Sequence, residues 1–327
     1  LQAGSIAARL PQSVRHAVWA RLQRLSSAER EVLEMMSLVP GSTEAWLLHE
    51  LKGNDAKVLA EKCCEAGMLL KDGQGSYRFR HELARLATLE SVPESARRSG
   101  HRQILAVLAR REAVELARLV HHAAAGEDDE AVLAWAPLAA REAAALGAHL
   151  QAAGHLATAL RFAGAAGKAV RAQLLEDWSY EAGLSQALDD EVIAARKKAV
   201  QLWRELGRRD KVGLNLRWLS RLYWYRGESI LADEYLTEAV SELEASGPGP
   251  ELAMAYSTRS QYHMLHDRME EAVNWGKRAI ELASRVDAQE TRAHALNNVG
   301  SALLFSGDEA GKDYMEESLR LSLQMGF

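Results

Sequence analysis

Cysteine is almost missing: the 327 residues contain two, Cys63 and Cys64, adjacent in the chain. Neighbouring thiols cannot staple distant segments together, which excludes a disulfide framework and fits a reducing, cytoplasmic setting. No apolar run reaches the roughly 18 to 20 residues of a membrane span, and the first residues lack the basic-then-apolar profile of a secretory signal. No membrane partner is expected. Charge of one sign is not in excess either. The net charge is -5, with 14 Lys+Arg against 12 Asp+Glu in residues 1–100 and 26 against 33 in the rest, so gross electrostatics give no case for direct nucleic-acid binding. A phosphate loop is also lacking. Gly164-Ala165-Ala166-Gly167-Lys168-Ala169 has two residues between its glycines where that loop needs four, and Ala where it needs Ser or Thr to reach magnesium. It reads as a loop between helices. No nucleophile, base and orienting residue occur together, so the segment is read as not an enzyme, with no catalytic residue and no cofactor of its own. Leu1 in place of Met, and the apolar, uncapped run 319–327, are read as marks of a piece cut from a longer protein.

What the chain has is a period. At a shift of forty residues one column reads Ala140, Tyr180, Ser220, Ser260 and Gly300. A second reads Ala159, Ala199, Ala239, Ala279 and, one residue short, Ser318; a third reads Ala152, Val192, Ala232, Ala272 and Gly311. Small residues recurring at one period are what paired helices need where their backbones approach closely. In the unit 213–246, Leu216, Leu219, Ser220, Tyr223, Gly227, Ala232 and Ala239 follow the tetratricopeptide order of large, small, aromatic, Gly, Ala and Ala. Residues 133–327 are therefore read as a tetratricopeptide-like α-solenoid of five units, truncated at its C-terminus and preceded by connecting helices over 96–132.

Residues 1–95 keep a different rhythm. Pro11 opens a helix carrying Val14, Val18, Leu22 and Leu25; Ser26 or Ser27 caps a second; Ser42 or Thr43 opens a third; a fourth spans 55–66 and ends at Gly67. Residues 68–71 and 76–79 flank Asp72-Gly73-Gln74-Gly75, the chain's one convincing hairpin signal. Helices followed by a hairpin predict a winged-helix domain. Its candidate recognition helix, 55–66, holds two Lys against one Asp and two Glu, a poor match to DNA phosphates, so packing inside the protein is favoured over DNA reading.

Several stretches, in their order, resemble a known family: Leu10-Pro11 through Leu25, Leu38-Val39-Pro40-Gly41, Tyr77-Arg78-Phe79-Arg80-His81-Glu82-Leu83, Leu216-Arg217-Trp218-Leu219-Ser220-Arg221-Leu222 and His294-Ala295-Leu296-Asn297-Asn298-Val299-Gly300. Together they look like the central and C-terminal part of the ATP-dependent transcriptional regulators of bacteria that form the maltose-regulator-like, LuxR-tailed branch of the STAND NTPases. The resemblance covers nearly the whole chain. It implies an NTPase core before the winged helix, a helical-repeat sensor after it and a helix-turn-helix DNA-binding domain at the end; this sequence contains neither core nor tail. ATP or ADP would sit in the missing core. The implied partners are a small-molecule inducer or regulatory protein on the solenoid, the core of the same chain, and further copies in the active state.

The same resemblance singles out His81. Phe79-Arg80-His81-Glu82-Leu83 resembles the winged-helix His-Asp motif, whose histidine reaches the phosphate of bound ADP; here Arg80 stands where Met is usual and Glu82 where Asp is. The alternative is a helix N-terminus with a partly buried, satisfied histidine. Metal sites are not expected. Adjacent His121 and His122 diverge by about 100° on a helix, and His263 and His266 lack companions, so all four read as packing or surface residues.

The repeat surface offers the better candidate. In tetratricopeptide stacks the first helix of each unit lines a groove, and these positions here include Asp177, Glu181, Arg217, Arg221, Trp224, Gln261, His294 and Asn297, with Tyr225 beside them. Aromatic faces among polar groups suit a polyol, sugar or peptide ligand. Two outcomes stay open: ligand contact, or Arg217 and Arg221 pairing with Asp177 and Glu181 of the neighbouring unit. The functional expectation is a regulatory, effector-sensing arm of a transcriptional activator. Its alternative is a passive scaffold that captures a peptide in its groove.

Overall fold

The computed structural model describes residues 11–185 and 189–326; Leu10 and Phe327, the ends of two stretches named above, lie outside them. Two compact units divide between Ala139 and Ala140, and each has its own core.

The first unit contains α1 (Gln12–Leu22), α2 (Ser27–Ser37), β1 (Ser42–Thr43), α3 (Ala45–Lys52), α4 (Ala56–Glu65), β2 (Leu69–Lys71), β3 (Tyr77–Phe79), α5 (Glu82–Ser91), α6 (Glu94–Leu108) and α7 (Leu116–Ala125). Ser26 is the cap of α2, and it forms a reciprocal box with Glu29: each side chain takes the other's backbone N–H, at 3.3 and 2.8 Å. The hairpin forms where the turn residues place it. Leu69 faces Phe79 and Lys71 faces Tyr77, while Asp72 Oδ1 accepts the N–H groups of Gln74 and Ser76 at 2.9 Å each. A third strand was not anticipated: Ser42 and Thr43, expected to start a helix, pair antiparallel with Arg78 and Tyr77. Thr43 points inward, 2% exposed, and Glu44 takes the position before α3. Two residues are too short a run to show a period. The core beneath gathers Leu33, Met36, Leu48, Met68, Leu69 and Tyr77, all buried. Cys63 lies within it, its thiol pushed up to about 12 by burial, which leaves it a packing residue.

The second unit begins within α8 (Asp129–Ala145) and continues through α9 (His149–Phe162), α10 (Lys168–Leu184), α11 (Asp190–Glu205), α12 (Arg209–Tyr225), α13 (Ser229–Ser246), α14 (Pro250–Met264), α15 (Met269–Arg285), α16 (Gln289–Phe305) and α17 (Gly311–Met325). The helices α10, α12, α14 and α16 begin at Lys168, Arg209, Pro250 and Gln289, about forty residues apart, and each pairs with the helix that follows it. The small columns lie where the pairs touch. Ala159, Ala199, Ala239, Ala279, Ala152, Ala232 and Ala272 are all fully buried, whereas Tyr180, the odd member, is 38% exposed. Ser260 Oγ donates to the Ala272 carbonyl at 2.6 Å, joining two columns within one pair. Among the described residues no helix is long and apolar enough to cross a membrane.

Between α16 and α17 backbone meets backbone. A Cβ built on Gly311 would lie 2.5 Å from the Gly300 carbonyl oxygen, and one on Gly300 would lie 2.9 Å from the Gly311 carbonyl oxygen. These obstacles are backbone, so no side-chain movement relieves them. Gly311→Ala is expected to destabilise the last pair by about 1–3 kcal/mol through overpacking, seen as faster hydrogen exchange along α17 with the exchange of α10 unchanged. In the turn after α7 the left-handed residue is Glu127, at φ 50°, and not Gly126 before it. Space explains the glycine, because a Cβ at Gly126 would sit 3.0 Å from both Arg102 Cγ and the His122 carbonyl oxygen.

Candidate functional site

A cleft of about 800 Å³ opens on the second unit, lined mainly from α10, α12, α14 and α16, with Leu236 of α13. Of the residues the repeat numbering pointed to, it brings together Arg217, Arg221, Trp224, Tyr225, Gln261 and His294. Asp177, Glu181 and Asn297 are not among its walls. Asp177 accepts a hydrogen bond from Gln173 Nε2 at 2.7 Å, and burial raises its carboxyl. Glu181 Oε2 lies 2.8 Å from His149 Nδ1. Asn297 is exposed, whereas its neighbour Asn298 is buried. The ion pairs considered above do not form: Arg217 approaches Glu251 instead, at 4.0 Å, and Arg221 donates through Nη2 and Nε to Tyr225 Oη at 2.8 and 3.1 Å.

Burial sets the chemistry of the cleft. Arg217 is 8% exposed, its Nε has no hydrogen-bond partner, and its guanidinium lies over Trp218, 5.1 Å from the ring centre. Burial pulls its pKa down, opposed by Glu251 and reinforced by Arg221. His294 Nδ1 lies 2.7 Å from Ser257 Oγ. Asn298 donates to that hydroxyl at 3.3 Å, so the Ser257 proton is free to point at Nδ1 and the ring proton is assigned to Nε2. Burial, then Arg221 and Arg217, push the His294 pKa down to about 4, and the ring is neutral near pH 7. Ser257 is fully buried and is not among the walls of the cleft.

Beneath the cleft's first helix lies a polar layer that the sequence reading missed. Glu176, 7% exposed, accepts from Trp203 Nε1 at 3.0 Å, Asn215 Nδ2 at 2.7 Å and Lys211 Nζ at 2.7 Å. Arg196, 1% exposed, donates to Asn215 Oδ1 at 2.9 Å, and burial pushes its pKa down to about 10. The layer ties α10, α11 and α12 together.

The first unit has a smaller cavity of about 500 Å³, lined by Arg21, Arg24, Arg80 and His81 with Leu25 and residues 66–68. None of its lining residues is acidic, and among the described residues none of the three guanidiniums has a carboxylate within ion-pair distance. His81 is exposed, not partly buried; it stands at the N-cap of α5 without making a side-chain cap. Glu82 is engaged elsewhere, accepting from Arg85 Nε and Nη2 at 2.9 and 2.6 Å, while Arg85 Nη1 reaches the Ser37 carbonyl.

The His121–His122 pair is joined by His101 from α6, whose Nδ1 lies 2.9 Å from His122 Nδ1. The three rings come within 5.0–5.6 Å centre to centre. Burial first, then His121 and Arg97, push His101 down to about 4; burial, then His121, His101 and Arg118, push His122 down to about 2. Both are neutral, one donating to the other, and His101, His121 and His122 each bring a ring nitrogen within 4.8 Å of the others, a grouping that the divergence of His121 and His122 along one helix did not anticipate. His263 is buried, as a packing residue.

These features define a mainly helical protein with a tetratricopeptide-like stack of helix pairs. Solved structures agree at the level of fold. A STAND protein with a tetratricopeptide repeat sensor from Pyrococcus horikoshii superposes with a TM-score of 0.51 at 13% identity, over 96% of this chain and 59% of that one. BtubC from P. vanneervenii gives 0.52 at 15% identity over 72% and 93%, and a Rap protein complexed with competence and sporulation factor gives 0.53 at 10% over 94% and 77%. The chain thus spans 59% of the length of the STAND structure. No protein-family profile matches the sequence, and no curated protein matches it.

Proposed function

We propose that this chain is the regulatory, effector-sensing arm of a STAND-type transcriptional activator. In this reading an effector, a small-molecule inducer or a regulatory protein, binds the cleft on the repeats. The first unit acts as a winged helix that senses the nucleotide held by an NTPase core elsewhere in the same protein. Release of ADP and binding of ATP then drive self-association, which gathers DNA-binding domains. Such coupling requires the effector to favour one of two arrangements of the same domains. The order helix, strand, helix, helix, strand, strand in the first unit supports a winged helix. The repeats' likeness to a STAND protein that has a tetratricopeptide sensor supports the sensor role.

The observation that carries the nucleotide half is the cavity at His81, where three arginines and a histidine meet without a carboxylate among the walls. Guanidiniums left in this state suit phosphate oxygens, which they bind in a bidentate fork. Arg80, which departs from the motif's usual Met, adds one of these cations. In the protein that carries the core, His81→Ala combined with Arg80→Ala is expected to shorten ADP retention at least tenfold and raise basal transcription. Unchanged values of both, or a reading frame around this segment that encodes no NTPase core, would reject the proposal.

A further inference from the structure

Three imidazoles meet where α6 packs on α7. His101 comes from α6, and His121 and His122 are consecutive on α7. Successive residues point about 100° apart on a helix, so those two do not converge by themselves; the facing helix supplies the ring that closes the group. One ring nitrogen from each of the three lies within 4.8 Å of the others. The hydrogen bond between His101 and His122 does not complete this arrangement. His122 is fully buried, yet its Nε2 has no partner, and a polar atom in that position calls for a further ligand.

The spacing suits an ion. Zinc binds imidazole nitrogen at about 2.0–2.1 Å in a tetrahedral array. With the ring centre about 1.1 Å beyond the nitrogen, two rings on one ion have centres about 5.2 Å apart. The three pairs here are 5.0, 5.1 and 5.6 Å apart. Binding would replace the His101–His122 hydrogen bond, whose nitrogens, at 2.9 Å, are already closer than the about 3.3 Å between two nitrogens on a tetrahedral zinc. The exposed ring of His121 is the one free to turn, and it takes up the remaining adjustment. Its hydrogen bond with the Leu38 backbone is the kind of outer contact that fixes the tautomer and orientation of a ligating histidine.

Donor type and charge narrow the choice of ion. The donors are nitrogen throughout, whereas magnesium and calcium take oxygen; imidazole suits zinc and its first-row neighbours. Three guanidiniums bear on the rings, Arg97 on His101, Arg118 on His122 and Arg85 on His121. Glu44 holds Arg118 at 2.5 and 2.7 Å, and Glu82 holds Arg85 at 2.6 and 2.9 Å, so two of the three charges are offset beside the group. Arg97 remains and weakens the site without closing it.

We propose that His101, His121 and His122 bind one zinc ion, which clamps α6 to α7 and keeps its fourth position for water on the exposed side of His121.

The test is calorimetry with zinc sulfate on the full chain after treatment with a chelator. One equivalent is expected to bind with Kd of about 1 μM or tighter, cobalt should give the intense visible absorption of a tetrahedral site, and magnesium should not bind. Zinc should slow hydrogen exchange in α6 and α7 at least tenfold. His121→Gln, at an exposed position, should weaken zinc at least tenfold and abolish that slowing, while the metal-free variant keeps the original exchange pattern. His101→Gln should weaken zinc at least a hundredfold. Less than half an equivalent bound, a cobalt spectrum of octahedral type, or an affinity unchanged by both substitutions would overturn the inference. If His101→Gln does not fold, His121→Gln decides alone: zinc affinity retained there rejects the site.

Discussion

Glu176→Ala is expected to cost the second unit about 3–5 kcal/mol, the penalty for removing one partner of a buried charged network. The magnitude follows from what the substitution leaves behind. Trp203 Nε1, Asn215 Nδ2 and Lys211 Nζ all donate to this one carboxylate; without it Trp203 Nε1 loses its acceptor, while Asn215 Nδ2 keeps only the Lys211 carbonyl and Lys211 Nζ only Gln173 Oε1. Arg196 suffers indirectly, since the Asn215 amide that accepts from it is oriented by the same carboxylate. Urea unfolding followed through tryptophan fluorescence should show a lower midpoint. In a stack where each pair leans on its neighbours, exchange should rise in α10, α11 and α12 before it rises in α16. Glu176→Gln, which keeps one acceptor oxygen, should cost less than half as much. Equal losses for the two variants would mean that the carboxylate charge and its second acceptor oxygen, not side-chain volume or a single acceptor, are what Glu176 supplies.

This layer also shows what the sequence could and could not convey. The forty-residue period was legible because close backbone approach admits only small side chains, and Gly300, Gly311, Ser260 and Ala272 are where that restriction acts. The hairpin was legible because Asp72 and its glycines have a local geometry to satisfy. Positions on the first helices could be numbered from the repeat, and Arg217, Arg221, Trp224, Gln261 and His294 lie in the walls of the cleft. Asp177 and Glu181 obey the same numbering but do not line the cleft; Gln173 and His149 claim their carboxylates. Periodicity places a backbone; it does not say which neighbour a side chain will choose. Contacts between different helices left still less trace. Glu176 meets Asn215 across 39 residues and His101 meets His122 across 21, with no local pattern to connect them.

Acid should loosen the first unit well before carboxylates are titrated. His101 and His122 are neutral in the fold, with pKa values near 4 and near 2, against about 6.5 in an unfolded chain. Below about pH 6.5 the unfolded chain therefore binds protons that the folded chain refuses, and stability falls as pH falls. The slope is about 1.4 kcal/mol per pH unit for each histidine. Between pH 6.5 and 4.5 the pair should remove about 3–5 kcal/mol. The His101 share ends near its folded value of about 4, and the His122 share continues toward about 2; neither contributes above pH 7. Glu44, held below the usual carboxylate range by Arg118 against the opposing effect of burial, loses its contribution only at lower pH, so the window from 6.5 to 5 belongs to histidine. Hydrogen exchange of α6 and α7, measured at fixed temperature and corrected for the intrinsic pH dependence of exchange, isolates this unit. His101→Gln combined with His122→Gln should flatten the slope while lowering stability at pH 7, because the replacements pack less well. A slope that survives the double substitution would place the acid sensitivity on other groups and remove the pair from this role.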